Sequence, residues 1–88
     1  MENELAKKIE DAMAAVQQLK GVEAVWFETP IDKKTLTIIA MYARVRVKFD
    51  NKEKPEVLTI EKPDMAAAFW ELHAYIKEES KKKIIKLD

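Results

Sequence analysis

Cysteine is absent from the 88 residues, so neither a disulfide nor a thiolate-bound metal can staple this fold. Glycine occurs once, at Gly21, where an average domain carries about 7%. A single glycine cannot build a phosphate-cradling loop or a dinucleotide fingerprint. Serine also occurs once, at Ser80, and histidine once, at His73. A lone histidine does not chelate a metal, and positions 69 and 77 on its helical face are Phe69 and Lys77, not carboxylates. With no thiol, no base beside Ser80 and no marked lysine, the chain lacks the parts of a nucleophilic site. The expectation is no catalytic residue, no metal site and no cofactor. Net charge is missing as well: sixteen basic and sixteen acidic residues cancel. Phosphate neutralisation drives nucleic-acid binding, so a neutral chain points away from nucleic acid and from anionic membranes. No run approaches the ~20 apolar residues of a membrane span. The acidic start Met1-Glu2-Asn3-Glu4 does not resemble a secretion signal, which makes the cytoplasm the expected location.

What is present is 48% apolar residues, enough for one core, and 36% charged residues dominated by lysine and glutamate. The length fits a single domain over residues 1–88. Stability must come from packing and local propensity. Thermophile proteins favour this composition, and so do idealised chains whose surfaces are filled with strong helix formers.

Leu5, Ile9, Ala12, Met13, Val16 and Leu19 recur at helical spacing and predict a first helix over residues 3–20. Asn3 is its expected N-cap and Gly21 its C-terminal positive-φ residue. Val22 to Thr29 reads as a strand, Pro30 to Lys34 as a five-residue turn, and Thr35 to Phe49 as a second strand of fifteen residues. After a turn over residues 50–55, Glu56 to Glu61 reads as a third strand. Pro63 is expected to open a second helix with Asp64 in its first turn. Met65, Phe69, Leu72 and Ile76 form its apolar stripe, flanked by Ala68 and Tyr75. Lys81-Lys82-Lys83 reads as a solvated helix end complementing the helix dipole, and Ile84-Ile85-Lys86-Leu87 as a short fourth strand. The expected architecture is α+β, in the order α-β-β-β-α-(β): a two-layer sandwich of a curved antiparallel sheet with both helices on one face.

If the five-residue turn sets Thr29 opposite Thr35, then Trp26 faces Ile38, Ala24 faces Ala40 and Val22 faces Tyr42. Alternation sorts the sheet into two surfaces. One carries Val25, Phe27, Ile39, Met41, Ala43, Val45, Val47 and Phe49, and claims the helices. The other carries Val22, Ala24, Trp26, Leu36, Ile38, Ala40 and Tyr42 before turning polar at Arg44, Arg46 and Lys48. That second surface is the candidate contact site, for a protein target or a second copy, with Trp26 and Tyr42 as ring anchors. A second candidate is a small-molecule pocket among Met13, Phe27, Met41, Phe69 and Trp70, opened if the long strand bends.

Two resemblances follow from these residues. The order α-β-β-β-α is similar to that of double-stranded RNA-binding domains. Their lysine-rich entry to the last helix is replaced here by Pro63-Asp64-Met65-Ala66-Ala67-Ala68. In style, the helix Glu4-Leu5-Ala6-Lys7-Lys8-Ile9-Glu10-Asp11-Ala12 and the strand Arg44-Val45-Arg46-Val47-Lys48-Phe49 resemble computationally designed α+β proteins. That likeness implies a scaffold or binding module without a native role, its irregular segments marking where function was placed.

Overall fold

The structure, a computed structural model, describes residues 2–82. Helix α1 spans Glu2–Gln17, strand β1 Val22–Glu28, β2 Ile31–Asp32, β3 Thr37–Ile38, β4 Tyr42–Val47 and β5 Glu56–Glu61, and helix α2 spans Met65–Lys82. Strands β1, β4 and β5 form an antiparallel sheet with β4 in the centre, and β2 and β3 form a separate two-stranded sheet. Both helices pack on one face of the larger sheet, giving the two-layer α+β arrangement that the element order predicts. The residues expected to form a last strand, Ile84–Leu87, lie outside the described ones.

Burial follows the helical and strand periods. Ala43, Val45 and Val47 alternate inward along β4 and are fully buried, with Phe49 just beyond. They meet Ala12 and Val16 from α1 and Met65, Ala68, Phe69, Leu72 and Ile76 from α2. No polar side chain is buried among the described residues, so the core is held by apolar area at about 25 cal/mol/Å².

Helix ends depart by one to three residues from the sequence-based expectation. Helix α1 already includes Glu2, which places Asn3 inside the first turn instead of at the cap. The helix stops at Gln17, so Gly21 closes a following turn, not the helix itself. Its φ of +88° is the conformation expected of it. A second constraint acts there: a Cβ on Gly21 would lie 2.4 Å from the Lys48 carbonyl oxygen. The Gly21 carbonyl accepts a 2.9 Å hydrogen bond from the Lys48 N–H, fixing β1 against the strand beside it. At α2, Asp64 is the N-cap, its Oδ1 accepting the Ala67 N–H at 3.1 Å, and Met65 is the first helical residue.

The first hairpin differs most from expectation. Trp26 pairs with Arg44, Ala24 with Arg46, Val25 with Val45 and Glu28 with Tyr42, six residues further along β4 than a turn at Pro30–Lys34 dictates. The cause is Asp32. Its Oδ1 accepts the Lys34 N–H at 2.8 Å and the Thr35 N–H at 3.3 Å, and its carbonyl accepts the Leu36 N–H at 2.7 Å. This aspartate-capped turn moves the tip to residues 33–36. Leu36 takes φ +60° to close it.

The fifteen-residue strand is therefore broken. Ile31 pairs with Ile38 and Asp32 with Thr37, while Glu28 pairs with Tyr42. Between these ladders three residues, Ile39–Met41, stand opposite two, Thr29 and Pro30. Pro30 has no N–H to continue the ladder, and its carbonyl accepts the Ile39 N–H at 2.9 Å. One extra residue exchanges the faces of every side chain beyond it. A second irregularity lies at Glu23, where Val22 pairs with Val47 but Ala24 with Arg46. That bulge turns Val22 to the helix side, where it packs against the core.

A candidate contact surface on a protruding arm

The contact surface expected from alternation separates into three places. Val22 joins the core, as the Glu23 bulge requires. Ala24, Trp26 and Tyr42 lie on the sheet face turned away from the helices. There they alternate with Arg44 and Arg46, not with aliphatic side chains. Leu36, Ile38 and Ala40 lie on or beside the β2–β3 hairpin, past the extra residue.

The outer sheet face pairs its charges internally. The Trp26 indole N–H donates to Glu28 Oε2 at 3.1 Å, and Arg44 Nε faces Glu28 Oε1 at 3.4 Å. That nitrogen is buried and makes no hydrogen bond, so its contact with Glu28 is an ion pair only. The Arg44 guanidinium also lies 5.5 Å from the centre of the Tyr42 ring. Arg46 pairs with Glu23 at 3.5 Å. Indole 26 thus faces away from the helices, as alternation predicts, but it is half-buried in a polar setting.

The hairpin is different. Among the described residues, strands β2 and β3 contact each other and no other element. They project as an arm from the end of the sheet where β1 ends and β4 begins. The radius of gyration, 15.1 Å, exceeds the roughly 12 Å of a spherical chain of this length, as a projection requires. Along the arm Ile31, Leu36, Ile38 and Ile39 are exposed, Leu36 by 75%. Phe27 at its root faces the helix side yet is 47% exposed, lying outside the buried cluster. An open cleft of about 480 Å³ adjoins the root, lined by Ile38, Ile39, Ala40 and Met41 on one side and Glu61, Lys62 and Pro63 on the other. A hydrogen bond from the Lys62 N–H to the Met41 carbonyl, 3.2 Å, fixes its floor.

The residues proposed for a ligand pocket disperse. Phe69 is fully buried, Met13 packs against the core, and Trp70 is half-exposed on α2 with its ring 5.2 Å from that of His73, edge to face. Of the set, Met41 alone lines the open cleft described above. His73 has this ring contact as its described setting, and among the described residues no three of His, Asp or Glu cluster as metal ligands would. At the opposite end of the sheet a 170 Å³ cavity is bordered by Lys20, Lys48, Phe49, Asp50, Asn51, Glu79 and Ser80. It is crossed by the Lys20–Asp50 ion pair at 2.9 Å. Nearby, a hydrogen bond to Glu56 holds the Lys52 ammonium above its ordinary range.

Sequence reasoning put Leu36, Ile38 and Ala40 on a contact surface. Leu36 and Ile38 are exposed and Ala40 is half-buried, while Ile39, assigned to the helix-facing side, and Ile31, assigned to a turn, are exposed as well. A signal for all but Ile31 exists. Thr35–Ala43 is the longest stretch without a charged residue in a chain that is 36% charged. No helix among the described residues is long and apolar enough to cross a membrane. No protein-family model, curated protein or solved structure matches the chain.

Proposed function

We propose that this chain is a protein-binding module whose contact element is the β2–β3 arm. The observation that carries this reading is the exposure of Ile31, Leu36, Ile38 and Ile39 on a hairpin that packs against no other element among the described residues. A two-stranded hairpin is marginally stable by itself in water. Uncovered aliphatic side chains clustered on such an element are the mark of a surface built to be covered. The outer sheet face, with its arginines paired to glutamates, serves as the arm's support.

The test places a photo-crosslinking benzophenone amino acid at position 38 or, as control, at the exposed helical position 78, in the expressing cell. Protein adducts are expected at position 38, few at 78, and none at 38 once Leu36→Lys and Ile39→Lys are added. Equal adducts at both positions, or adducts indifferent to the two lysines, would overturn the reading. Trp26→Ala and Tyr42→Ala are expected to leave the adducts at 38 in place.

A further inference from the structure

We infer that the partner of the arm is a second copy of this chain, joined along the free edge of β3. The two β3 strands pair antiparallel about a twofold axis, and two hairpins become one four-stranded sheet. This deepens the contact-module reading and rests on it.

The backbone comes first. Because Ile39 donates to Pro30 and Asp32 pairs with Thr37, the N–H and C=O of Ile38 point away from β2. An outward donor and acceptor on one residue form a two-bond pair with the same residue of a symmetry-related strand. This sets Ile38 opposite Ile38 of the second copy, and Leu36 opposite its Ala40. Identical antiparallel strands are self-complementary under a twofold, the commonest symmetry of protein dimers.

Side chains decide which edge is available. Folded proteins blunt exposed edges with charge, proline or bulges, and the other edges here are blunted. Strand β1 carries the bulge at Glu23 and ends in Glu28, and β5 follows Pro55 and begins and ends with Glu56 and Glu61. Self-pairing of β5 about its centre would set Glu56 against Glu61 of the other copy, a repulsive arrangement. From Thr35 to Ala43 there is no charge to oppose its own image. The β3 edge is unguarded in the manner that a twofold contact requires.

The area sets a ceiling. The exposed parts of Ile31, Leu36, Ile38, Ile39 and Phe27 offer on the order of 500 Å² per copy, so pairing along β3 removes less than about 1,000 Å² in all. That is the range of weak contacts, and it fits a dimer that dissociates on dilution.

The experiment uses the whole chain. Sedimentation across a roughly hundredfold concentration range is expected to show a monomer–dimer equilibrium, with Ile38→Lys monomeric throughout and equal to the parent in circular dichroism. The chain has no cysteine of its own, so single cysteines at 37, 38 and 39 report the register. Ile38→Cys is expected to form an intermolecular disulfide at least tenfold faster than Thr37→Cys or Ile39→Cys, since residue 38 alone meets its own image. A chain that stays monomeric, a dimer indifferent to Ile38→Lys, or three cysteines that link at equal rates would each overturn the inference. If the chain is monomeric yet position 38 crosslinks to other proteins, self-pairing falls and the module reading stands. If no adducts form at 38, both fall.

Discussion

At the scale of single residues, two positive-φ positions show opposite uses of the left-handed region. Gly21 sits at φ +88° with its missing Cβ directed at a backbone carbonyl, that of Lys48. Lys48 is held by its own bond to Gly21, so neither atom can retreat without opening the junction between β1 and β4. Gly21→Ala is therefore expected to cost about 2–3 kcal/mol, combining backbone strain with steric displacement. Urea unfolding checks this, and a loss below about 0.5 kcal/mol would show that the turn can rearrange. Leu36, at φ +60°, fills a position where glycine or asparagine is the unstrained choice. A leucine that accepts this strain while 75% exposed has no folding reason to be there. On the contact-module reading proposed above, its value lies in what it touches outside the monomer.

At the scale of elements, α2, β5 and most of α1 were legible because their apolar spacing coincides with their burial. Leu5, expected on the buried stripe of α1, is 60% exposed, and β4 was read only as the second half of a longer strand. Met65, Phe69, Leu72 and Ile76 are spaced as a helix and buried as one, and the bounds of β5 agree with those read from the sequence. Trp26 also faces away from the helices as alternation requires, because a six-residue change of register preserves parity. The arm was not legible in detail. Two local features decide it, the Asp32-capped turn and the extra residue at Ile39–Met41, and neither leaves a periodic trace. Alternation was carried through a stretch where the chain shifts phase, which merged Leu36 and Ile38 with Trp26 and Tyr42 into one apparent surface. The hairpin's own stability follows from this local chemistry. Leu36→Gly removes about 1 kcal/mol of left-handed strain. In dilute monomer it is expected to slow exchange of the Ile39 amide, bonded to the Pro30 carbonyl, by about fivefold, while the melting of the body stays unchanged. Faster exchange would mean that the leucine side chain, not the turn, holds the hairpin closed.

At the scale of the whole molecule, the chain divides into a body that obeys its own regularities and an arm that breaks them. The body buries most of its apolar stripes, caps α2 with Asp64 and pairs its strand arginines with glutamates. The arm brings together the exposed Ile31, Leu36, Ile38 and Ile39, an unguarded edge and a strained leucine, whereas the exposed aliphatics of the body, Leu5 and Val57, stand apart on α1 and β5. Such departures clustered in one element support the proposed contact-module reading better than any single exposed residue does. The division makes a quantitative demand. Since β2 and β3 contact no other element among the described residues, the body is expected to owe them little packing energy. The Pro30 carbonyl and Ile39 N–H are 2.9 Å apart, so a two-residue Asn-Gly turn can bridge these positions in place of Ile31–Ile38. Shortening the connection lowers its closure entropy, a gain of about 1 kcal/mol. A domain of this size should then melt at the same temperature or about 5 °C higher, with the core unaltered and concentration-dependent association gone. A loss of more than about 2 kcal/mol on excision would show that the arm buttresses the body. The exposed residues would then be structural after all, and the contact surface would have to be sought on the Trp26 face.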